Sequence, residues 1–259
     1  MGIPPITSIL EKNAINLLIS IFRSPETTEY QMIHRQLAMK NHESSSWVTH
    51  IRNLLAKYNL PSAFDLIQNP PTKNAWKNSM EDAFNLFWYN VWTEDQANKT
   101  SLRFLHIPVR PLQAAHPIWR HVQNPREVTE AIVKARILTG TYTLQANKHR
   151  FNQFEIEPTC LLCGSAPENR SHFLLHCPSL NHVRSRFLDR IVDIFSPDAS
   201  GVAGNREADD CSKVQAIIDC GHSSFQELSK EDSRRVEKLS RSLVYNLHIC
   251  RTKILAEIA

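Results

Sequence analysis

The sequence predicts a mostly α-helical protein, an irregular helical array with a small cysteine- and histidine-bearing knuckle inserted between helices. Three observations predict it. Apolar residues recur at intervals of three and four along much of the 259-residue chain, the spacing that lines one face of a helix. Strand-like alternation is scarce. Only six glycines occur, so the punctuation expected of a many-turned β fold is missing.

The elements follow in order. Ile9, Leu10, Leu17, Leu18, Ile21 and Phe22 form the first helical stripe. Residues 24–26 read as the start of a second helix, with Ser24 as N-cap, Pro25 at the first position and an acid in the first turn. Residues 44–47 resemble the next cap, leading into Val48, Ile51, Leu54, Leu55 and Tyr58, and Pro61 ends that stripe. After Pro70-Pro71, Trp76, Met80, Ala83, Phe84, Phe87, Trp88, Val91 and Trp92 fall on helical spacing. Core packing is the expected use of such a stripe, ahead of stacking on nucleic acid. Four prolines at 108, 111, 117 and 125 mark the best boundary between regions. A helix over 126–138 closed by Gly140 follows, then one over 180–195, a loop over 196–210, and a last helix over 230–258 carrying Val236, Leu239, Leu243, Leu247 and Ile254. Three regions are expected: 1–110 helical, 111–196 a helix with the knuckle, and 197–259 a loop and a helix.

Bulk composition narrows the class. With 42% hydrophobic and 22% charged residues, the chain is neither disordered nor membrane-embedded. No apolar run reaches the roughly 18–20 residues needed to span a bilayer; the longest, 14–22, is broken by Asn16 and Ser20. Met1-Gly2-Ile3-Pro4-Pro5 has no basic n-region and no myristoylation pattern. An intracellular protein, nuclear or cytoplasmic, with no membrane contact is expected. Six cysteines are too few for a disulfide-built scaffold.

Three of those cysteines crowd together. The segment from Cys160 to Cys177 has the spacing C-x2-C-x8-H-x4-C. Two thiolates two residues apart fold back onto one ion when the turn after them is tight, and Gly164 allows the positive φ such a turn needs. His172 and Cys177 close a Cys3His tetrahedron, for which one structural zinc ion is the natural occupant. Four protein ligands leave no open position for water, which argues against hydrolytic catalysis. His176 stands four residues after His172 and is the alternative fourth ligand, or a group that orients the site through a hydrogen bond. Phe173, Leu174 and Leu175 are placed to pack beneath it. A CxxC redox site would require a thioredoxin-like strand–helix context, which is missing. Cys211, Cys220, His222 and Cys250 are spaced too irregularly for a second ion.

Charge is concentrated in the same region. The net charge of +4 is accounted for by residues 134–190, where Lys134, Arg136, Lys148, Arg150, Arg170, Arg184, Arg186 and Arg190 outnumber four acids. A basic face beside a metal knuckle is the footprint of phosphate-backbone binding. Lys148, Arg150, Arg170, Arg184 and Arg186 are the expected contacts. Tyr142, Phe151 and Phe154 are candidates for stacking on single-stranded bases, although core packing suits each.

Several stretches carry a family resemblance. They are Lys134 to Asn147 (KARILTGTYTLQAN), Phe151-Asn-Gln-Phe, Pro158-Thr-Cys160-Leu-Leu-Cys163-Gly, and His172-Phe-Leu-Leu-His-Cys177-Pro-Ser-Leu with Arg184 beyond. Together they resemble the zinc-binding region downstream of the polymerase in non-LTR retrotransposon reverse transcriptases of invertebrates. Arg35-Gln-Leu-Ala, Ser46-Trp-Val, Tyr58-Asn-Leu-Pro-Ser-Ala63 and Pro70-Pro71…Trp76-Lys77 are similar to the segment preceding it. The resemblance implies a module that holds template RNA or target DNA during target-primed reverse transcription, with Cys160, Cys163, His172 and Cys177 as ligands and the remainder of a reverse transcriptase as partner. No Tyr-x-Asp-Asp-type aspartate pair and no endonuclease segment occurs, and Asp209-Asp210 is a poor substitute. Neither a nucleophile–base pair nor a Gly-rich phosphate loop is found, so no enzymatic activity and no small-molecule substrate are expected. The alternative is a helical scaffold or protein-interaction module stapled by zinc, with no nucleic-acid role.

Overall fold

The computed structural model describes residues 4–39, 44–113, 115–152, 155–195, 210–219, 221 and 228–258. The protein is mostly α-helical, an irregular helical array. Among the described residues the one pairing of extended backbone is a bridge between Thr159 and Pro167. Packing groups the chain into two units, Met1–Thr93 with Ile107–Ala114, and Glu94–His106 with Ala115–Ala259. The proline-bearing stretch 107–126 is thus shared between them.

The first unit contains α1 (Ile6–Phe22), α2 (Thr28–Met39), α3 (Trp47–Lys57), α4 (Ala63–Gln68) and most of α5 (Lys73–Asn98). Their apolar faces meet in one core. Ile15, Leu18, Ile19 and Phe22 come from α1, Ile51, Leu54 and Leu55 from α3, and Trp76, Met80 and Phe84 from α5. Each such side chain contributes roughly 1.5–3 kcal/mol on burial. Tyr58 stacks on Phe84 with ring centroids 3.7 Å apart, and Trp76 Nε1 donates to Asn16 Oδ1 at 3.1 Å. The aromatic stripe of α5 therefore packs the core from its N-terminal half. Leu10 and Leu17 of the α1 stripe lie on the exposed side instead.

Helix starts follow side-chain chemistry. Ser46 Oγ accepts from the Thr49 amide at 3.2 Å, and Ser62 with Asp65 forms a reciprocal capping box that starts α4. The expected start of α2 at Ser24 is corrected. Residues 24–27 form a turn, Thr27 Oγ1 accepts from the Tyr30 amide, and the helix begins at Thr28. A threonine one residue before the first helical turn offers the better-placed acceptor.

In the second unit a 3₁₀ turn (Thr100–Leu102) precedes α6 (Pro117–Arg120), α7 (Pro125–Leu138) and α8 (Gln145–Phe151). The metal-bearing segment follows, then α9 (Asn181–Phe195), α10 (Asp210–Ile218) and α11 (Lys230–Ile258). α11 is the spine, packed mainly on α9 and α7. Asn124 caps α7 by accepting from the Glu127 amide at 3.0 Å, with Pro125 next, and Gly140 takes φ +72° just beyond its end. The loop expected over 196–210 lies outside the described residues except for Asp210, which begins α10.

The core of this unit includes charge. Lys134, fully buried, donates to Glu237 Oε2 at 2.8 Å and Ser240 Oγ at 2.6 Å. Arg251 grips Glu168 through two bonds of 2.7 and 2.9 Å. Asp219 accepts from the amides of His106 and Gly221 and lies 3.2 Å from His116 Nε2. Burial pushes the Asp219 carboxyl up, but His116 and those amides outweigh it and hold it below the usual carboxylate range.

Candidate metal centre

The segment 158–180 folds as a knuckle because its backbone closes on itself. The Gly164 amide donates to Cys160 O at 2.8 Å, the Cys160 amide to Ala166 O at 2.8 Å and the Glu168 amide to Pro158 O at 2.8 Å. Gly164 takes φ +65°, a conformation that strains any side-chain-bearing residue. Asn169 Oδ1 then caps the next turn by accepting from the His172 amide at 2.8 Å.

That turn, His172–His176, is a π-helix, closed by the Cys177 amide on His172 O at 2.7 Å. In an α-helix, residues five apart point about 140° away from each other. The wider turn narrows that angle, and Cys177 leaves it in an extended conformation (φ −58°, ψ 116°). Phe173 and Leu174 are buried below as expected, while Leu175 is half-buried.

The result is a cluster able to hold a metal ion. The ligand atoms of Cys160, Cys163, His172 and Cys177 all lie within 4.8 Å of one another. Cys160 Sγ is 3.9 Å from Cys177 Sγ, and Cys163 Sγ is 3.3 Å from His172 Nε2. Of the two candidate histidines, His172 is the one whose ring reaches the sulfurs. His176 is half-exposed and pairs with Asp210 Oδ2 at 2.5 Å.

The electrostatics suit a cation. Burial pushes Cys160 up to about 12 and also raises Cys177. For Cys163 burial is outweighed by the hydroxyl and amide of Ser165, leaving that thiol below its ordinary value. Burial lowers His172, favouring the neutral imidazole that ligates metal. Two buried thiols resist ionising until a positive charge stands between them.

Second contacts lock the knuckle to the unit. Arg184, 3% exposed, donates from Nε to Leu174 O at 2.8 Å and from Nη2 to Cys177 O at 3.0 Å. Ser179 Oγ donates to Leu162 O at 2.8 Å. Glu168, between the ligand pairs, accepts from Arg251 and from the Gln145 amide at 2.9 Å.

No family model, curated protein or solved structure matches this chain.

The five expected nucleic-acid contacts are divided. Arg184 is buried, and its guanidinium donates to Leu174 O and Cys177 O beneath the knuckle and to Asn181 Oδ1 at 3.5 Å. Arg150 and Arg170 come together at the turn Thr100–Leu102. There Arg170 falls to about 10, through burial and then the charges of Arg103 and Arg150. Arg186 is exposed on α9, and Lys148 is half-buried on α8. Lys134, counted in the basic excess, is sealed in the core. Arg103, which is not among the five, stands near Arg170 at the same turn although it lies 47 residues before Arg150 in the chain. Of the stacking candidates, Phe151 is 69% exposed, Tyr142 is buried against His248, and Phe154 lies outside the described residues. Cys220 and His222 lie outside them too. Cys211 is exposed and Cys250 stands 3.8 Å from His182, and no second metal cluster forms among the described residues. No helix among them is long and apolar enough to cross a membrane.

Proposed function

We propose that the chain is a zinc-dependent nucleic-acid-binding module of a retroelement reverse transcriptase, positioning template RNA or target DNA without polymerising nucleotides itself. The observation that carries this reading is the convergence of three cysteines and one histidine within 4.8 Å, on the segment that holds the whole excess of positive charge.

Zinc fits the donor set. Tetrahedral zinc with Zn–S of about 2.3 Å and Zn–N of about 2.0–2.1 Å separates two sulfurs by about 3.8 Å and a sulfur from a nitrogen by about 3.6 Å. The corresponding separations here are 3.9 and 3.3 Å. Three soft thiolates with one imidazole select zinc over hard cations. When bound, the ion supplies a cross-link between the two halves of the knuckle. Cys160 and Cys163 hold it from one side, His172 and Cys177 from the other, and Arg184 steadies the carbonyl of a ligand residue. Arg170, two residues before His172, is thereby fixed on the same loop.

A second reading, a zinc-stapled scaffold without nucleic acid, is favoured by one observation: Lys134 and Arg184, two of the eight basic residues, are consumed internally. The experiment that separates the two is binding of labelled RNA and DNA oligonucleotides from about 50 to about 200 mM salt, with and without chelator, alongside metal analysis. Tight binding that falls steeply with salt and is lost on chelation is expected. Absent or salt-insensitive binding by protein holding one equivalent of zinc would leave the scaffold reading.

A further inference from the structure

Three guanidiniums from distant parts of the second unit meet at the 3₁₀ turn Thr100–Leu102. Arg170 Nη2 donates to Ser101 O at 2.7 Å. Its guanidinium lies 5.4 Å from the centroid of the Phe104 ring, and that of Arg103 lies 4.5 Å from the same ring. Arg150 Nη1 donates to Thr100 Oγ1 at 3.3 Å and lies 5.4 Å over the ring of Phe151, which is 69% exposed.

The turn is built to admit Arg170. A Cβ on Gly140 would stand 2.4 Å from Arg170 Nη2 and 2.7 Å from Ser101 Cβ. A side chain there would displace the arginine or the turn, and the φ of +72° at Gly140 strains any other residue.

What the cluster lacks is a counter-charge. None of the three arginines forms an ion pair among the described residues. Arg251, buried in the same unit, does find a carboxylate, in Glu168. Like charges gathered without an acid repel one another, and an incoming anion relieves that repulsion. Guanidinium forks match the oxygens of a phosphate.

We propose that Arg103, Arg150 and Arg170 form a seat for a backbone phosphate of single-stranded nucleic acid, with the neighbouring base stacked on Phe151. This rests on the nucleic-acid reading above and names its contact site. A duplex keeps its bases stacked inside, so an exposed aromatic ring beside a phosphate seat suits a single strand.

The test measures anisotropy of a labelled single-stranded oligonucleotide and of its duplex on the full zinc-loaded chain. The variants are Arg103→Gln with Arg150→Gln, Phe151→Ala, and Arg234→Gln with Arg235→Gln as a charge-matched control on α11. Arg103, Arg150 and Phe151 are all exposed, so folding and zinc content should be retained. The first variant should weaken single-strand binding at least tenfold and reduce the salt slope by about 0.7, the share of the one phosphate seated. Phe151→Ala should weaken it by roughly tenfold with little effect on duplex, and the control should change affinity less than threefold. Wild-type binding left intact by the first variant, or lost equally in the control, would overturn the seat alone. Equal weakening of single strand and duplex by Phe151→Ala would remove the stacked base. No oligonucleotide binding by zinc-loaded wild type would remove this inference together with the function it rests on.

Discussion

Each unit is held together internally by its own chemistry. In the first, the buried apolar residues form one aliphatic and aromatic cluster, and the buried polar side chains among the described residues are Ser8, Thr49 and Asn85, none of them charged. Every buried charged side chain among the described residues belongs to the second unit, including Lys134, Glu168, Arg184, Asp219, Glu237, Arg241 and Arg251. Apolar packing tolerates exchange of one hydrocarbon for another of similar volume. Buried charge does not, because loss of one partner strands the other in a low dielectric. The first unit is thus expected to be forgiving, and the second to be specific, dependent on its pairs and on its metal.

The largest effect that would sharpen this contrast is metal removal. Structural zinc contributes about 10–16 kcal/mol to folding in isolated zinc-finger peptides. Chelation, or Cys163→Ser, is expected to abolish metal binding and amide protection over 155–195 in hydrogen exchange, while α1–α4 keep theirs. Equal loss of protection in both units would break the comparison, and one retained equivalent of zinc in the variant would defeat the ligand assignment.

Next in size is Glu237→Leu, which leaves the ammonium of Lys134 buried without its carboxylate and is expected to cost about 3–5 kcal/mol. Adding Lys134→Met to the same chain should recover part of that loss in urea unfolding. Additive costs would show that the pair carries no special penalty. In the first unit, Leu18→Ala is expected to cost about 2–5 kcal/mol and Leu18→Met less than about 1.5 kcal/mol, read by the same measurement. A Met variant as damaging as the Ala variant would mean that this core too depends on exact shape.

The smallest effect, on the salt slope alone, separates structural arginine from binding arginine. Arg184→Ala removes the donors to Leu174 O and Cys177 O, at about 1–3 kcal/mol for each buried acceptor left unpaired. It should also weaken metal affinity roughly 10–100-fold. At saturating zinc the salt slope for oligonucleotides should match that of the wild type. A flatter slope would return Arg184 to the binding face.

Long elements were legible from the chain because their signals are local. The stripes of α3, α5 and α11 repeat over ten residues or more, and the Gly140 and Gly164 signals act within one turn. Short α4, α8 and α10 were missed: six to nine residues carry too few periods to stand out. The start of α2 was misread because Ser24-Pro25-Glu26 and Thr27 both offer capping chemistry, and only the folded turn chooses between them.

The candidate ligand set could be read for the same reason. Four donors within eighteen residues are joined by short loops, so their meeting depends mainly on local backbone geometry and costs little loop-closure entropy. The sequence placed His172 first and kept His176 as the alternative; the structure puts the His172 ring 3.3 Å from Cys163 Sγ and pairs His176 with Asp210, 34 residues further on. Which bases are free to bind was beyond the sequence. A count of basic residues carries no direction, so Arg184 looked equivalent to Arg150, and Lys134 was counted in the same excess. The fold of the knuckle turned Arg184 to nearby carbonyls, while long-range packing sent Lys134 to Glu237 and brought Arg103 beside Arg150 and Arg170. Helical periodicity and ligand spacing are properties of neighbours along the chain, whereas the fate of a charge is set by whatever α11 and the turn at Thr100–Leu102 bring against it.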